Sequence, residues 1–253
     1  TDEIYEVINQ FVNSAYYAKS AGFDGIQIHA AHGYLIHQFL LESMNKREDE
    51  FKDGILFLQK IIIGIHEKCG DFPIWVKISG DVDIDRSYKN YFIKIIKKLD
   101  LMPINLIEIS YGTMDYALNI FRGRVPIKTV FRHNPIYKNK TVIWKIFKLP
   151  FILLKIKKYT PKYNLIYAKL AKENTKIPIS VVGGYRSLRE AQESGFPFVS
   201  ICRPFICEPD LLMKSYHNSE YISRCTSCNV CAIMTDSNQI LRCYSPYRED
   251  NNG

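Results

Sequence analysis

No stretch of this 253-residue chain approaches the roughly 18 consecutive apolar residues of a membrane span, and no secretory signal opens it. A soluble, intracellular and cytoplasmic protein is therefore expected. Acidic residues are missing altogether between Lys138 and Lys172, where ten lysines interleave with Trp144, Ile146, Phe147 and the run Phe151 to Leu154. That segment accounts for more than the whole chain's net charge of +8, and the remainder of the chain is slightly acidic. Two readings stand for it: a surface for anionic membranes or anionic ligands, or a long connection whose apolar residues lie on a rim and whose lysines are solvated. Pro150 interrupts any continuous amphipathic helix there. No nucleic-acid partner is expected. Nor is a disulfide framework, because four of the seven cysteines crowd into one short C-terminal stretch, as free thiols or metal ligands do.

What is present is enough apolar material for a folded core, with 47% hydrophobic residues and 13% aromatic. The chain opens on a helix capped by Thr1 or Asp2, with Ile4, Ile8, Phe11, Ala15 and Ala18 as its apolar stripe. Five strands are expected: Gly25–His29, Ile74–Ser79, Leu106–Ser110, Pro178–Val182 and Phe198–Ile201. Helical segments between several of them favour a parallel sheet and an α/β fold.

The thirteen residues from Asp24 to Ile36, DGIQIHAAHGYLI, run an apolar strand into a turn bearing His29, His32 and Tyr34. In a β/α protein that junction places side chains where chemistry is done. By spacing alone the histidines read equally as a satisfied pair or as donors gripping a carbonyl oxygen. A zinc-protease arrangement is excluded, since it needs histidines four apart with Glu after the first. Lys77 stands in the apolar strand Ile74–Ser79 and must point somewhere polar, because a buried unpaired ammonium is strongly disfavoured. Gly183 and Gly184 lie between a strand and a helix starting near Ser187, where backbone N–H groups can approach an anion. Cys202 and Arg203 follow the next strand and suit the second half of such a site. Cys225, Cys228, Cys231 and Cys243 form C-x2-C-x2-C-x11-C, a spacing for an iron–sulfur cluster, tetrahedral zinc or inert thiols. Cys69 and Cys207 read as packing residues.

The run AGFDGIQIHAAHGYLIHQFLLESMNKREDEF (21–51) resembles the old yellow enzyme family of FMN-dependent oxidoreductases, particularly the branch that includes 2,4-dienoyl-CoA reductase. So do Val181 to Arg186, Ile201 to Phe205 and Glu208 to Leu211, in family order. The resemblance implies a TIM (β/α)8 barrel, of which the chain holds about strands 4 to 8. An N-terminally truncated piece is expected, since three strands are not in it and the sheet edges would be left unpaired. The partial barrel would span 1–213 and a Cys-rich segment 214–253. By resemblance, His29 and His32 hold an acceptor carbonyl and Tyr34 donates a proton. Lys77 stands where the family often has a flavin-contacting arginine, and Gly183, Gly184, Cys202 and Arg203 hold the FMN phosphate. The implied activity passes hydride from NAD(P)H through FMN to an α,β-unsaturated carbonyl acceptor. The branch carries a [4Fe-4S] cluster at the cysteines, but with three residues in the second gap where this chain has two. Phe51-Lys52-Asp53-Gly54 also departs from the family, running directly into the helix Ile55–His66. The alternatives are an inactive barrel remnant, or a metal or iron–sulfur module centred on the cysteines.

Overall fold

The computed structural model describes residues 2–84, 88–141, 153 and 155–245. Residues 142–152 and 154 of the lysine-rich stretch, including Trp144, Ile146 and Phe147, lie outside the described residues. All five expected strands form: β1 Ile26–Ala30, β2 Ile74–Ser79, β3 Leu106–Ser110, β4 Ile179–Val182 and β5 Phe198–Ser200. They make one sheet in the order β1-β2-β3-β4-β5, and the pairs β1–β2, β2–β3 and β3–β4 are parallel. Strand order equal to chain order, with helices in the crossovers, is the wrapping of a β/α barrel.

The helices are α1 Asp2–Ser20, α2 Leu35–Leu40, α3 Ile55–Cys69, α4 Tyr88–Leu99, α5 Ala117–Phe121, α6 Ile127–His133, α7 Leu165–Lys172, α8 Leu188–Gln192, α9 Arg203–Cys207, α10 Leu211–His217 and α11 Val230–Asp236. The described residues gather into two compact units: 1–120 with 164–182 and 196–198, and 121–163 with 183–195 and 199–253. Among the described residues no helix is long and apolar enough to cross a membrane.

In the first unit the core lies between the sheet and its helices. Ile28, Ala30, Val76, Ile78 and Ile109 from the strands are buried with Phe57, Leu58, Ile61, Ile62 and Ile65 of α3. Each of these Val, Leu, Ile and Phe side chains contributes about 1.5–3 kcal/mol by leaving water. Helix α1 buries Ile8, Val12 and Ala15; the stripe read from sequence held Ile8 and Ala15 but not Val12. Helix α4 follows the same logic: Tyr88, Phe92, Ile95, Ile96 and Leu99 recur at helical spacing and are buried, while Lys97 and Lys98 in the last turn complement the helix dipole. The shortened stretch before α3 has a steric reason for its glycine, since a Cβ on Gly54 would stand 1.7 Å from the Phe39 carbonyl oxygen.

The second unit is held by buried polar contacts. Glu208, 1% exposed, accepts from Tyr221 Oη at 2.5 Å, Ser223 Oγ at 2.7 Å, Lys214 Nζ at 3.0 Å and Arg224 N at 2.6 Å. Burial alone would raise its carboxyl pKa, but these donors hold it down to about 2.

Candidate active site and flavin-binding residues

His29, His32 and Tyr34 do converge. The His29 ring centroid lies 4.9 Å from that of His32 and 5.0 Å from that of Tyr34. Strand alternation buries Ile28 and Ala30 and turns Gln27 and His29 to the other face. His32 and Gly33 both take left-handed backbone, φ 63° and 78°, so the chain reverses sharply and Tyr34 starts α2 at its N-cap.

A left-handed histidine is strained and persists only where its surroundings over-determine it. Here His32 N donates to Ser79 Oγ at 3.2 Å, Met114 N donates to His32 O at 2.9 Å, and His32 Nε2 lies 2.7 Å from Ser110 Oγ. Gly33 N donates to Nδ1 of buried His37 at 2.8 Å. The His37 proton therefore sits on Nε2, 3.1 Å from Tyr88 Oη, and Tyr88 Oη donates onward to Ser79 O at 2.9 Å. This relay through α2, α4 and β2 fixes the turn that carries His32 and Tyr34.

Burial pushes the His32 imidazole down to about 3, with the charges of Lys77 and the neighbouring histidines adding to it. Burial does the same to His37, also to about 3, and lowers His29 more mildly, helped by Lys77 and opposed by Glu108. His29 and His32 are neutral N–H donors at neutral pH, suited to an oxygen that gains charge without being fully protonated.

Lys77 does point to a polar partner. The register places His29 beside Lys77, Lys77 beside Glu108 and Glu108 beside Ser180, one level across four strands. Lys77 Nζ is 2.7 Å from Glu108 Oε1, with the two side chains 21% and 6% exposed. Lys77 is thus a neutralised pair and not a lone cation. Glu108 was missed in the sequence although it gives the same signal as Lys77, a charge inside the apolar strand Leu106–Ser110. Ser79, Ser110, His37 and Tyr88 left no such signal, because serine at a strand end and histidine or tyrosine on a helix are unremarkable.

In the second unit Gly183 and Gly184 have φ 123° and 82°, as expected of a turn open only to glycine. A Cβ on Gly184 would meet Lys162 N at 2.7 Å and Thr160 O at 2.8 Å, and its carbonyl accepts from Tyr159 Oη at 2.8 Å. Ser187 caps α8 through Glu190 N at 3.1 Å, while Glu190 reaches back to Arg186 N at 2.6 Å. This capping box supplies two acceptors at the helix start. Arg203 donates to the carbonyls of Phe121 and Arg122 and, at 2.5 Å, to Asn229 Oδ1. Cys202, exposed, is the N-cap of α9. Arg186 Nε is buried with no hydrogen-bond partner, an orphaned cationic donor in the expected phosphate segment.

The first unit, by itself, offers neutral N–H donors, a phenol and a paired ammonium. The second, by itself, offers the orphaned guanidinium nitrogen of Arg186 two residues beyond the glycine turn, a donor that fits a phosphate. Among the described residues no three His, Cys, Asp or Glu side chains are gathered to hold a metal ion. All seven cysteines are free of disulfides.

A parallel sheet in chain order, whose strand ends carry a His-His-Tyr head, defines a portion of a (β/α)8-barrel enzyme fold. Residues 1–104 match the NADH:flavin oxidoreductase / NADH oxidase family. The chain is 29% identical over 255 aligned positions to an NADH oxidase of Thermoanaerobacter brockii, covering 96% of this chain and 34% of that protein. It is 48% identical over 137 positions to an NADPH dehydrogenase of Listeria monocytogenes, covering 52% and 40%. The solved structure of the old yellow enzyme homologue from Zymomonas mobilis superposes with a TM-score of 0.62 at 20% identity, over 98% of this chain and 58% of the other. These likenesses support an old yellow enzyme-family NADH:flavin oxidoreductase. The chain spans 34% and 40% of the length of these two curated relatives.

Proposed function

We propose that the protein to which this chain belongs is an FMN-dependent, NAD(P)H-consuming oxidoreductase that reduces an α,β-unsaturated carbonyl compound. The observation that carries this reading is the convergence of His29, His32 and Tyr34 on one sheet face, with both imidazoles held neutral. FMN, when bound, would supply the hydride-transfer chemistry between NAD(P)H and the acceptor. His29 and His32 donate N–H to the acceptor oxygen and draw charge from the β-carbon. Tyr34, exposed at the start of α2, donates its phenol proton to the α-carbon. Glu108 sets the charge of Lys77 beside His29, so the acceptor side carries no uncompensated cation. The relay from His37 through Tyr88 keeps His32 and Tyr34 in register with the acceptor.

Gly183, Gly184 and Cys202 are assigned to the FMN phosphate through their main chain, with Arg203 and Arg186 supplying charge. Seven free cysteines support a reducing compartment, the cytoplasm. The test uses the full-length protein. FMN should be released on denaturation at one per chain, and its colour should bleach with NAD(P)H under anaerobic conditions and return on adding a simple cyclic enone. Protein without flavin, or bleached flavin that an enone leaves bleached, would overturn the reading.

A further inference from the structure

Two serines, one from each of two neighbouring strands, hold His32. Ser79 and Ser110 are register partners at the C-terminal ends of β2 and β3. The Ser79 hydroxyl is fully committed, donating to Gly112 O at 2.9 Å and accepting from His32 N at 3.2 Å. The Ser110 hydroxyl, in a residue 4% exposed, lies 2.7 Å from His32 Nε2 and makes no other hydrogen bond among the described residues. We propose that Ser110 is a positioning residue for the reaction: its hydroxyl donates to His32 Nε2, fixes the imidazole as the tautomer protonated on Nδ1, and so makes Nδ1–H the donor that His32 offers to the acceptor oxygen. This duty rests on the enone-reductase reading above.

The geometry first settles which way the ring faces. A flipped imidazole would put Cε1 where Nε2 stands, and C–H···O contacts lie at about 3.3–3.6 Å, so the 2.7 Å approach to Ser110 Oγ belongs to nitrogen. The backbone keeps the ring there. Met114 N donates to His32 O at 2.9 Å, and His32 and Thr113 form a parallel bridge. At neutral pH the ring carries one proton, because burial holds its pKa down to about 3, so one nitrogen donates and the other accepts. Were Nε2–H the donor to Ser110, the hydroxyl proton would be left without an acceptor among the described residues. An unpaired buried donor is worth about 5- to 150-fold in such an equilibrium. With the hydroxyl donating to the Nε2 lone pair, both groups are satisfied and Nδ1 keeps the proton.

The same turn contains the opposite case. Gly33 N donates to His37 Nδ1 at 2.8 Å and leaves that ring protonated on Nε2. Two histidines of one turn are therefore set to opposite tautomers, His37 by an N–H for structure and His32 by an O–H for the acceptor. The difference matters where charge develops. An enone oxygen meets Nδ1–H as a donor, whereas the other tautomer presents a bare lone pair that repels it. The Ser110 proton stays on its oxygen throughout, and no covalent bond to Ser110 forms or breaks.

The experiment uses full-length, FMN-loaded protein with nitrogen-15 histidine at pH 7. Two-bond nitrogen–proton correlation reports the tautomer of each ring, and the His32 signals are identified by their loss in His32→Asn. A protonated Nδ1 and a bare Nε2 are expected. Ser110→Ala should move His32 toward the Nε2–H form, and Ser110→Thr, which keeps the hydroxyl, should hold the native pattern. Removing an oxyanion donor outright costs about 10²–10³ in rate; Ser110→Ala keeps the ring and unlocks its tautomer, so reoxidation by saturating cyclohex-2-enone should slow by about 10-fold or more within that limit. The half-saturating enone concentration should change little, since the donor meets charge that develops in the transition state, and Ser110→Thr should restore the rate. A purely structural role would leave the tautomer unmoved. The unmutated protein decides the matter even if Ser110→Ala fails to fold: Nε2–H on His32 overturns the proposal whatever the activity. Ser110→Ala that keeps the Nδ1–H pattern, or reoxidises at the parental rate, overturns it as well. Nδ1–H in a protein whose reduced flavin the enone never reoxidises would instead overturn the enone-reductase reading, and with it the duty assigned to Ser110.

Discussion

Replacing Glu108 with glutamine isolates the charge pair at the centre of the sheet. The Lys77–Glu108 contact is 2.7 Å long, and the carboxylate side is 6% exposed against 21% for the lysine. At an effective dielectric of about 20, unit charges 4 Å apart attract by about 4 kcal/mol, but desolvation offsets much of that, and hydrogen bonds to charged groups are worth about 1.5–3 kcal/mol net. Lys77 keeps some access to water, so Glu108→Gln should destabilise by about 2 kcal/mol, the lower part of that range. Lys77→Met leaves a nearly dry carboxylate without its cation and should cost more, about 3 kcal/mol, unless the carboxyl takes up a proton. The double variant removes both charges together, so its loss should fall short of the sum by about 2 kcal/mol. Urea denaturation of the full-length protein at pH 7, followed by tryptophan fluorescence, gives all four corners of this cycle. Histidine NMR adds a second reading: since Glu108 raises the His29 pKa, Glu108→Gln should lower it further. A coupling below about 0.5 kcal/mol, within the error of independent sites, would refute the argument that the two charges act as one unit.

Three further outcomes are expected. His32 and His37 are held near 3 in the fold against 6.5 in the open chain, so their neutral forms stabilise fully above about pH 6.5 and that stability is lost as pH falls toward 3. At pH 5 the loss is about 2 kcal/mol for each, and His37→Gln should flatten the pH dependence of urea midpoints between 7 and 5. Glu208 is held near 2, so its contribution is present above about pH 4.5 and lost as pH falls toward 2. Glu208→Ala, which takes the carboxylate from Ser223 Oγ, Tyr221 Oη and Arg224 and leaves Lys214 only Asp210, should lower stability by about 3 kcal/mol in thermal melts. Gly184→Ala places a Cβ against Lys162 N and Thr160 O at a positive φ, and should cost about 1–3 kcal/mol together with a loss of flavin retained after dialysis.

The strands were legible because each is a short β-branched or apolar run bounded by turn residues; β2 and β3 match the expected limits, and β1, β4 and β5 differ at their ends by one residue. The head of the site was legible for a related reason: His29, His32 and Tyr34 are local in sequence, and one tight turn is enough to bring them together. What was not legible depends on register. Nothing in the chain before pairing says that Lys77 of β2 and Glu108 of β3 share a level, so the lysine reads as a lone cation when it is half of a pair. His37 and Tyr88 are 51 residues apart and meet only through the packing of α2 and α4. Cys207 reads as a packing residue because its partner Cys243 is 36 positions away, whereas the regular C-x2-C spacing draws attention to Cys225 and Cys228. Arg203 was read as an anion anchor, and it also donates to the carbonyls of Phe121 and Arg122 and to Asn229, contacts that a βα-loop motif does not announce.

The central claim is that one turn polarises an acceptor through two neutral imidazoles and protonates it through a phenol. Stopped-flow measurement of the two half-reactions in full-length Tyr34→Phe protein tests it most directly. A general acid contributes about 10² to 10⁴ in rate. The account predicts that flavin reduction by NAD(P)H stays near the parental rate, that reoxidation by an enone slows by about that factor, and that reoxidation by a quinone, which needs no proton at carbon, is spared. Enone reoxidation at the parental rate would contradict it and leave Tyr34 as an exposed aromatic at the start of α2.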